Sequence, residues 1–366
     1  MEYKFSELFK WESGKPISIS EGDIPVYGSN GIIGYTDKQK YNNKIILGRV
    51  GAYCGSVSYC KTDFNATDNT LITTCDTNKI LYYYAYYLLK LYDLNRYAGG
   101  SAQPLITQSI LKHLKCDIPN LGVQHKIASI LSAYDSLIEN NTKRICLLEQ
   151  MAENLYKEWF AYAKIKDYST EVRLADILSY NRGLSYSSED IDCENGNDLI
   201  NLKNIQSYGG FRLDGTKKYN GKYKKEQVVK EGDLVMGVTD MTQDRRTVGS
   251  VALIPNVCCV SVISADLIKL ESEINNVYLY AMFRWGNVSK YISQFANGAN
   301  VLHLKPQALK NIKVMLPTES LIAKYVSIVK PMFDTINKLN RANENLAKQR
   351  DALLPRLMSR KLEVQA

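Results

Sequence analysis

The sequence predicts a tandem repeat of mixed α/β (α+β) fold, in which two globular domains are separated by two long antiparallel coiled-coil helices. Three observations predict it. Matched segments recur in the same order in the two halves of the 366-residue chain, strand-like runs fill the front of each half, and a heptad seam closes each half. With 45% hydrophobic and 23% charged residues, the chain can form two or three domains with their own cores.

The repeat consists of matched residue types at matched places. The pairs are Phe5–Leu8 and Gly14 with Leu174–Ile177 and Gly183, Ile45–Gly48 and Gly55–Val57 with Leu234–Gly237 and Gly249–Val251, Gly100 with Gly298, and Asp135 with Asp334. The offset between the halves grows from 169 to 199 residues, as 183 − 14 and 334 − 135 show. About 30 additional residues therefore lie in the front of the second half.

The front of each half reads as short strands between Gly- and Asn-rich turns, interrupted by one helix. The predicted strands are Lys44–Leu47, Ser56–Cys60, Leu234–Val238 and Ser250–Ile254, and the predicted helices are Ile80–Tyr92 and Val277–Trp285. These elements define predicted domains at residues 1–120 and 170–317.

A long helix is predicted at 121–163 and another at 318–360, because core-type residues recur in alternating steps of four and three. The first seam is Ile127, Leu131, Tyr134, Ile138, Asn141, Ile145, Leu148, Ala152, Leu155 and Trp159; the second is Tyr325, Val329, Met332, Ile336, Leu339, Asn343, Leu346, Arg350, Leu353 and Leu357. Asn141 and Asn343 either fix the register or face solvent. Pro331 either kinks its helix or marks the true first turn.

Composition narrows the function. A net charge of +8 suits a polyanionic partner. The longest apolar run, Leu81–Leu89, is too short to span a membrane and the N-terminus shows no signal peptide, so we expect a cytoplasmic protein without membrane contact. The eight cysteines form no CxxC pair and only three histidines occur, so we expect buried reduced thiols and no metal site.

No catalytic residues are predicted. The chain contains no Pro-Pro, which the loop of an adenine methyltransferase requires, and no G-x-x-x-x-G-K-[ST] for ATP. Gly28, Gly31 and Gly34 favour turns over a phosphate cradle, because the strand-to-helix context is missing. We therefore expect no cofactor in this chain.

Two similar domains on a rigid spacer would suit two separate sites on duplex DNA, where successive faces of one groove lie ~34–36 Å apart. Reading DNA needs cations for phosphates and amide or guanidinium groups for base edges. The candidates are Tyr27, Ser29, Asn30, Arg49, Tyr53, Gln103 and Thr107 in the first half, and Lys217, Lys218, Tyr219, Thr239, Gln243, Arg245 and Arg246 in the second. A solvated charged loop at 217–225 and a salt bridge from Asp244 to an arginine are the alternatives.

Several segments resemble the specificity subunit (HsdS-like) of type I restriction-modification systems. They are the tail Gln349–Leu362, the helix end Leu155–Phe160, the segment Tyr27–Gly34, and Ile118-Pro119 with Gln124. The resemblance covers nearly the whole chain, including its order of domain, helix, domain, helix. At Arg360 this chain departs from the family, which tends to carry Gly there, so the last helix could end differently.

The resemblance implies two target recognition domains, each reading one half of an asymmetric bipartite site in double-stranded DNA. It implies that the helices set the spacing and dock methyltransferase subunits, which we expect to be two, and that a motor-nuclease subunit joins the complex. S-adenosylmethionine and ATP are then expected on the partner subunits. The residues predicted for subunit contact are Ile127, Leu131, Ile138, Ile145, Leu148, Leu155, Ile336, Leu339, Leu346 and Leu353.

Two other functions remain open from the sequence. One is a specificity module that serves a stand-alone methyltransferase without a nuclease. The other is a coiled-coil protein-binding scaffold whose repeated domains bind peptide or glycan and do not act on DNA.

Overall fold

The computed structural model of the chain describes residues 1–100, 103–160, 168–192, 195–256, 260–359 and 361–362. It divides into two compact units. The first unit is 1–140 with 342–366, and the second unit is 141–341.

The first unit is built on a six-stranded sheet and a two-stranded sheet. Its strands are β1 (Glu2–Lys4), β2 (Phe9–Ser13), β3 (Ile24–Gly28), β4 (Gly31–Thr36), β5 (Tyr41–Gly48), β6 (Val57–Ala66), β7 (Thr70–Cys75) and β8 (Lys115–Asp117). The larger sheet has the order β2-β7-β5-β6-β3-β4, and β1 pairs with β8. Only β3 and β6 run parallel among the pairs of these strands, and β4 lies at an edge. The predicted strands at 44–47 and 56–60 are confirmed.

The first unit contains the helices α1 (Phe5–Leu8), α2 (Tyr82–Leu91) and α3 (Gln108–His113), the first half of α4 (Leu121–Phe160), and the end of the last long helix of the chain. The tyrosine-rich α2 packs into the core, with Tyr84 and Tyr87 at most 1% exposed. Gln124 fixes the start of α4, since its side chain donates to the carbonyls of Lys79 and Pro119 and accepts from the N–H of Leu81.

The second unit contains thirteen described strands. They are β9 (Ser169–Arg173), β10 (Ser179–Arg182), β11 (Ile191–Asp192), β12 (Asn197–Ile200), β13 (Lys217–Tyr219), β14 (Val228–Val229), β15 (Leu234–Gly237), β16 (Thr239–Asp240), β17 (Val251–Leu253), β18 (Ser261–Ile263), β19 (Leu267–Glu271), β20 (Leu302–His303) and β21 (Lys313–Pro317). The sheets have the orders β10-β19-β15-β17, β11-β13-β12-β18-β14, β16-β20 and β21-β9. The predicted strands at 234–238 and 250–254 are confirmed to within a residue at each end.

The helices of this unit are α5 (Leu174–Ile177), α6 (Asn276–Arg284), α7 (Val288–Ser293) and α8 (Glu319–Met358). The helix predicted at 277–285 is α6, and all its residues from Val277 to Phe283 are buried. Tyr156, Phe160, Tyr278 and Tyr325 form an aromatic cluster with ring centroids 5.1–6.5 Å apart. The three tyrosines of this cluster are therefore part of the hydrophobic core.

The repeat predicted from the sequence recurs as matched backbone contacts. The N–H of Phe5 donates to Leu114 O and that of Leu174 to Ile312 O, both at 2.8 Å. A Cβ on Gly14 would lie 2.0 Å from the carbonyl oxygen of Thr67, and one on Gly183 would lie 2.0 Å from that of Ser264. Because no side chain fits at such a distance, both repeats need glycine where the chain crosses a strand end.

The long helices pair antiparallel, as predicted. In the first unit, Asp135 near the start of α4 accepts a hydrogen bond from Arg350 near the end of α8 at 2.5 Å. In the second unit, Tyr325 near the start of α8 donates its hydroxyl to the carbonyl of Ala152 near the end of α4 at 3.2 Å. Every seam position is buried or half-buried, including Asn141 and Asn343. The seam prediction is therefore confirmed.

One suggestion for Pro331 is wrong. The residue does not mark the first turn of its helix, because α8 begins at Glu319, twelve residues earlier. The carbonyl of Pro331 accepts a hydrogen bond from the Thr335 hydroxyl within the same helix. The helix ends at Met358, before Arg360, which lies outside the described residues.

The cysteine prediction holds for four described thiols. Cys54, Cys60, Cys75 and Cys116 are free and buried, and burial raises the pKa of Cys75 to about 12. Cys146 is exposed, so the prediction of a buried thiol is wrong there, because its position on α4 faces away from the seam. Cys193, Cys258 and Cys259 lie outside the described residues.

Within the described residues, no group of three or more His, Cys, Asp or Glu side chains is placed to hold a metal ion. Of the helices that the structure describes, none combines the length and the apolar character needed to cross a bilayer.

Candidate nucleic-acid interface

Each unit carries one loop at the same place in its framework. Loop A (Arg49–Cys54) follows β5 and loop B (Thr239–Val248) follows β15. The N–H of Gly55 donates to Gly48 O and that of Gly249 to Gly237 O, both at 2.8 Å. The span between these glycines is 55 − 48 = 7 residues in the first unit and 249 − 237 = 12 in the second. One framework therefore carries two loops that differ in length and sequence.

Both closing glycines have backbone conformations that other residues rarely adopt. Gly55 has φ +87° and Gly249 has φ +77°. A Cβ on Gly55 would lie 2.4 Å from the amide nitrogen of Asn95, and one on Gly249 would lie 2.9 Å from Ser289 O. The left-handed turn and the close approach together require glycine at the loop base.

Loop A lies beside two other segments of predicted site residues. Ser29 donates its hydroxyl to Asn69 O at 2.7 Å, and Ser56 donates to Ser29 O at 2.5 Å. The segment 103–107 joins the loop through backbone bonds from Gly51 N to Pro104 O and from Ile106 N to Arg49 O. The structure thus brings Ser29, Arg49 and the 103–107 segment into one surface.

Within this surface, Tyr53 is 60% exposed and Arg49 is half-buried. The Arg49 Nε is buried without a hydrogen-bond partner among the described residues. Thr107 has a structural task instead, since its hydroxyl accepts from Ile110 N and caps α3. Asn30 is exposed, Gln103 is exposed and Tyr27 is half-buried, with burial raising the pKa of the Tyr27 hydroxyl.

Loop B is organised around the Asp240 carboxylate, which is 2% exposed. Oδ1 accepts from the N–H and the hydroxyl of Thr242, both at 2.8 Å, and Oδ2 accepts from Thr247 N at 2.6 Å and Val248 N at 3.3 Å. Burial alone would raise the pKa of Asp240, but the hydrogen bonds from Thr247 and Thr242 more than offset it, so the pKa lies below its ordinary value.

The tip of loop B displays polar side chains to solvent. Arg245 has φ +54°, is exposed, and forms no ion pair with the described residues. Arg246 pairs with Asp244 at 2.5 Å, which is the salt bridge named as the alternative to base contact. Gln243 donates to Ala299 O at 2.8 Å. Arg245 is therefore the loop B side chain best placed to contact a base edge.

The loop B candidate Thr239 was predicted wrongly as a contact residue. It is 6% exposed and donates its hydroxyl to Asp266 at 2.9 Å, because it lies in β16 against β20. Next to the loop, an open concavity of about 570 Å³ is lined by Lys203, Arg212 and Arg246 together with the carboxylates of Asp214 and Asp240. Arg212 pairs with Asp214 and Arg246 pairs with Asp244, so Lys203 is the cation of this lining without an ion pair among the described residues.

The lysine-rich segment of the second unit is only partly available. Tyr219 is 3% exposed, with its hydroxyl bound to Lys222 O at 2.9 Å, so its predicted DNA contact is wrong. The reason is that Lys217–Tyr219 forms β13 and turns Tyr219 inward. Lys217 contacts the Tyr186 hydroxyl at 3.3 Å and Lys218 pairs with Asp198 at 2.8 Å. The exposed cations of this segment are Lys222, Lys224 and Lys225.

Comparison with known proteins assigns the family. The sequence profile of the type I restriction modification DNA specificity domain matches residues 1–150 and 166–348. The chain belongs to this family.

Specificity subunits of the family are among its relatives. The chain is similar to the MjaIX type I restriction enzyme specificity subunit of Methanocaldococcus jannaschii, with 26% identity over 307 residues, 77% of this chain and 69% of that protein. It is also similar to the EcoprrI specificity subunit of Escherichia coli, with 34% identity over 146 residues, 37% of this chain and 36% of that protein.

A solved structure shows the fold of this specificity family. The type I restriction-modification system S subunit from M. genitalium matches with a TM-score of 0.61 and 19% identity, covering 98% of this chain and 95% of that one. The mixed α/β fold with long helices is therefore that of a specificity subunit.

The side chains predicted for subunit contact are buried or half-buried in this chain. Ile127, Leu131 and Ile336 are at most 5% exposed, so their predicted role at a subunit interface is wrong, because the two helices bury the seam against each other and the cores. The other predicted positions are half-buried: Ile138, Ile145, Leu148, Leu155, Leu339, Leu346 and Leu353. Among the apolar side chains of α4 that face solvent are Ile130, Leu137, Leu147 and Met151, which are 38–58% exposed.

The sequence did not reveal the position of two residues that shape this interface. Asp240 was not singled out, although an Asp followed two residues later by Thr is a recognisable signal for a side chain that bonds the backbone ahead of it. Tyr208, which is 65% exposed with φ +66°, is held to loop B by its N–H, which donates to Arg246 O at 2.7 Å. No local signal places Tyr208 beside a loop 38 residues further along the chain, as 246 − 208 shows.

Proposed function

We propose that this chain is the DNA sequence-specificity subunit of a type I restriction-modification complex and that each unit reads one half of an asymmetric bipartite site. The observation that supports the proposal is the pair of loops A and B. They occupy equivalent places on one framework, yet they differ in length and in every side chain that faces solvent. A repeated framework with unlike loops is suited to reading two unlike sequences.

The chemistry of each loop supports this division of work. In the second unit, the Arg245 guanidinium would donate two hydrogen bonds to a guanine, and Lys222, Lys224 and Lys225 would meet phosphates. In the first unit, the Arg49 guanidinium and the exposed Tyr53 would take the corresponding places. A bidentate contact discriminates against a wrong base by ~1–3 kcal/mol.

We propose that the chain itself is non-catalytic and that partner subunits supply the chemistry. Two methyltransferase subunits would carry S-adenosylmethionine, and motor-nuclease subunits would carry ATP. The outer face of α4, with Ile130, Leu137, Leu147 and Met151, is the proposed contact for the methyltransferase, because exposed apolar side chains on a helix mark a docking face. Membership of the DNA specificity family favours this function over a protein-binding scaffold.

The lengths of α4 and α8 are proposed to set the unread gap between the half-sites. Adding one heptad to each helix should change the gap and leave both half-sites unchanged, because the heptad preserves the seam. Altered half-sites in such a variant would contradict the spacer proposal.

The decisive experiment is methylome sequencing of a host that expresses this subunit with its methyltransferase. We expect one asymmetric motif made of two short half-sites. Arg245→Ala should relax one position of one half-site, whereas the control Lys222→Ala should weaken binding to all sequences alike and reduce its salt dependence. An absence of sequence-specific methylation, or an unchanged motif in Arg245→Ala, would count against the proposal and against the role of Arg245 respectively.

A further inference from the structure

The β3–β4 hairpin of the first unit exposes an unusual number of apolar side chains. Ile32 is 50% exposed, Ile33 is 40% and Tyr35 is 49%, and Ile19, which covers Gly34, is 56% exposed. Three large apolar residues on the hairpin and a fourth beside it are costly to leave in water, since burying each one is worth ~1.5–3 kcal/mol. A contiguous exposed patch of this kind marks an interaction surface.

The exposed side chains of Ile19, Ile32, Ile33 and Tyr35, together called the blade, lie at the edge of the six-stranded sheet, where β4 is the last strand. Tyr27 lies opposite Ile32 and Val26 lies opposite Gly34, so Ile33 is an extra residue in a β-bulge, and both isoleucines are exposed. A Cβ on Gly28 would lie 2.9 Å from Ile33 Cγ2, and one on Gly34 would lie 2.6 Å from Ile19 Cδ1. Because neither glycine carries a Cβ, Ile33 packs directly on the backbone at Gly28 and Ile19 packs directly on the backbone at Gly34.

The tip of the hairpin is fixed in place. The Ser29 hydroxyl donates to Asn69 O and the Ser56 hydroxyl donates to Ser29 O. Asn69 O also accepts from the N–H of Arg49 at 2.8 Å, so the hairpin is joined to the first residue of loop A. The apolar blade is therefore continuous with the surface proposed above to read DNA.

Cations border the blade. On one side, a concavity of about 530 Å³ is lined by Lys15, Lys38 and Lys40, with Asp37 as the only carboxylate in its lining. These three lysines are exposed and form no ion pairs with the described residues. Arg49 lies in loop A, where the N–H of the next residue, Val50, donates to the Ser29 hydroxyl at 3.5 Å. An apolar ridge next to cations matches duplex DNA, which presents phosphates outside and an apolar base stack inside.

We propose that the hairpin Gly28–Tyr35 is a wedge that enters a groove of the duplex at the first half-site and partly unstacks one base step with Ile32 and Ile33. The inference rests on the function proposed above. Apolar side chains inserted between base steps kink duplexes at a cost of a few kcal/mol per step. That cost depends on the sequence, so the wedge would favour flexible pyrimidine–purine steps without hydrogen bonds to their bases.

The test uses the full chain assembled with its methyltransferase subunits and duplexes that contain the motif found by methylome sequencing. 2-Aminopurine is placed at each position of the first half-site in turn. We expect its fluorescence to rise several-fold at one step with the unaltered protein and to stay at the level of free duplex with the double variant Ile32→Ser, Ile33→Ser. The control Val260→Ser changes a residue of the second unit that is 43% exposed and should behave as the unaltered protein.

A second arm measures affinity for a duplex with a mismatch at that step. Because the mismatch lowers the cost of unstacking, the unaltered protein should bind it about tenfold more tightly, and the double variant should gain nothing. The thermal unfolding midpoint of the double variant should stay unchanged, since both side chains face solvent.

The outcomes separate the wedge from the function on which it rests. Specific binding without a fluorescence change at any position overturns the wedge and leaves the proposed function standing. Loss of the methyltransferase subunits from the double variant, with the fluorescence change retained, assigns the hairpin to protein contact and also overturns it. An absence of sequence-specific binding overturns the proposed function and the wedge together.

Discussion

Replacing Asp240 by Asn tests what holds loop B in shape. Asn has nearly the same size as Asp but only one acceptor oxygen. Four hydrogen bonds reach the Asp240 carboxylate, and the Asn side chain keeps the two from Thr242, which one oxygen accepts. Its amide NH₂ then faces the N–H groups of Thr247 and Val248, which donated to the other oxygen. The variant therefore removes two bonds without creating a cavity.

The loss follows from the bonds themselves. A hydrogen bond to a charged acceptor contributes ~1.5–3 kcal/mol, and a donor left unsatisfied in the interior costs its desolvation. Two such bonds give a gross loss of about 3–6 kcal/mol, and relaxation of the partly exposed Thr247 reduces this to about 3 kcal/mol. Since 1.4 kcal/mol is a factor of ten, the opening equilibrium of loop B should rise roughly 100-fold.

Hydrogen–deuterium exchange of the loop B amides measures this change directly. We expect Thr247 and Val248 to exchange roughly 100-fold faster in Asp240→Asn. Asp244→Asn is the matched control, because its carboxylate is 58% exposed and pairs only with Arg246 among the described residues. Exposed ion pairs contribute ~0–1 kcal/mol, so the control should exchange within about fivefold of the unaltered protein.

The pH dependence has a definite sign. Because folding lowers the pKa of Asp240, its stabilisation is fully present above the ordinary carboxyl pKa and is lost as the pH falls through the lowered value. Protection of loop B should therefore be constant from about pH 5 upward and fall below pH 4. Equal exchange in the two variants, or protection that is lost near neutral pH, would refute the view that the Asp240 carboxylate organises the loop.

Further predictions concern the framework. Arg350→Met should destabilise the first unit by about 2–4 kcal/mol, because Asp135, 23% exposed, would keep only its hydrogen bond from the Tyr87 hydroxyl among the described residues. Hydrogen–deuterium exchange rates of the amides in 342–358 measure this loss of stability. The control Asp351→Asn changes a side chain that is 61% exposed, so it should alter these rates little. Equal changes in the two variants would contradict the role of the Arg350–Asp135 pair. Gly55→Ala should cost more than 2 kcal/mol, since a Cβ there meets Asn95 N at 2.4 Å with φ +87°. Gly232 also has a positive φ, +82°, but no heavy atom lies within 4 Å of a Cβ placed there, so Gly232→Ala should cost only ~1 kcal/mol. Thermal unfolding that shows the same loss of stability for both variants would contradict the close approach at Gly55.

The repeat, the two seams and the strand positions beside loops A and B could be predicted from the sequence alone. These features depend on periodicity and on turn residues, which act over a few neighbours in the chain. The match between Gly14 and Gly183 is confirmed for the same reason, because each glycine is required where its chain passes close to the backbone at the end of a strand.

Tertiary structure decided which side chains are available. Arg350 occupies a seam position that calls for an apolar residue, and it is accommodated by Asp135, 215 residues earlier in the chain. Tyr219 and Thr239 look like contact residues in the sequence and are buried by strands β13 and β16. Burial and ion pairing depend on partners distant in sequence, and local patterns carry no information about those partners. The framework could thus be predicted from the sequence, whereas the choice of Arg245 over its neighbours required the fold.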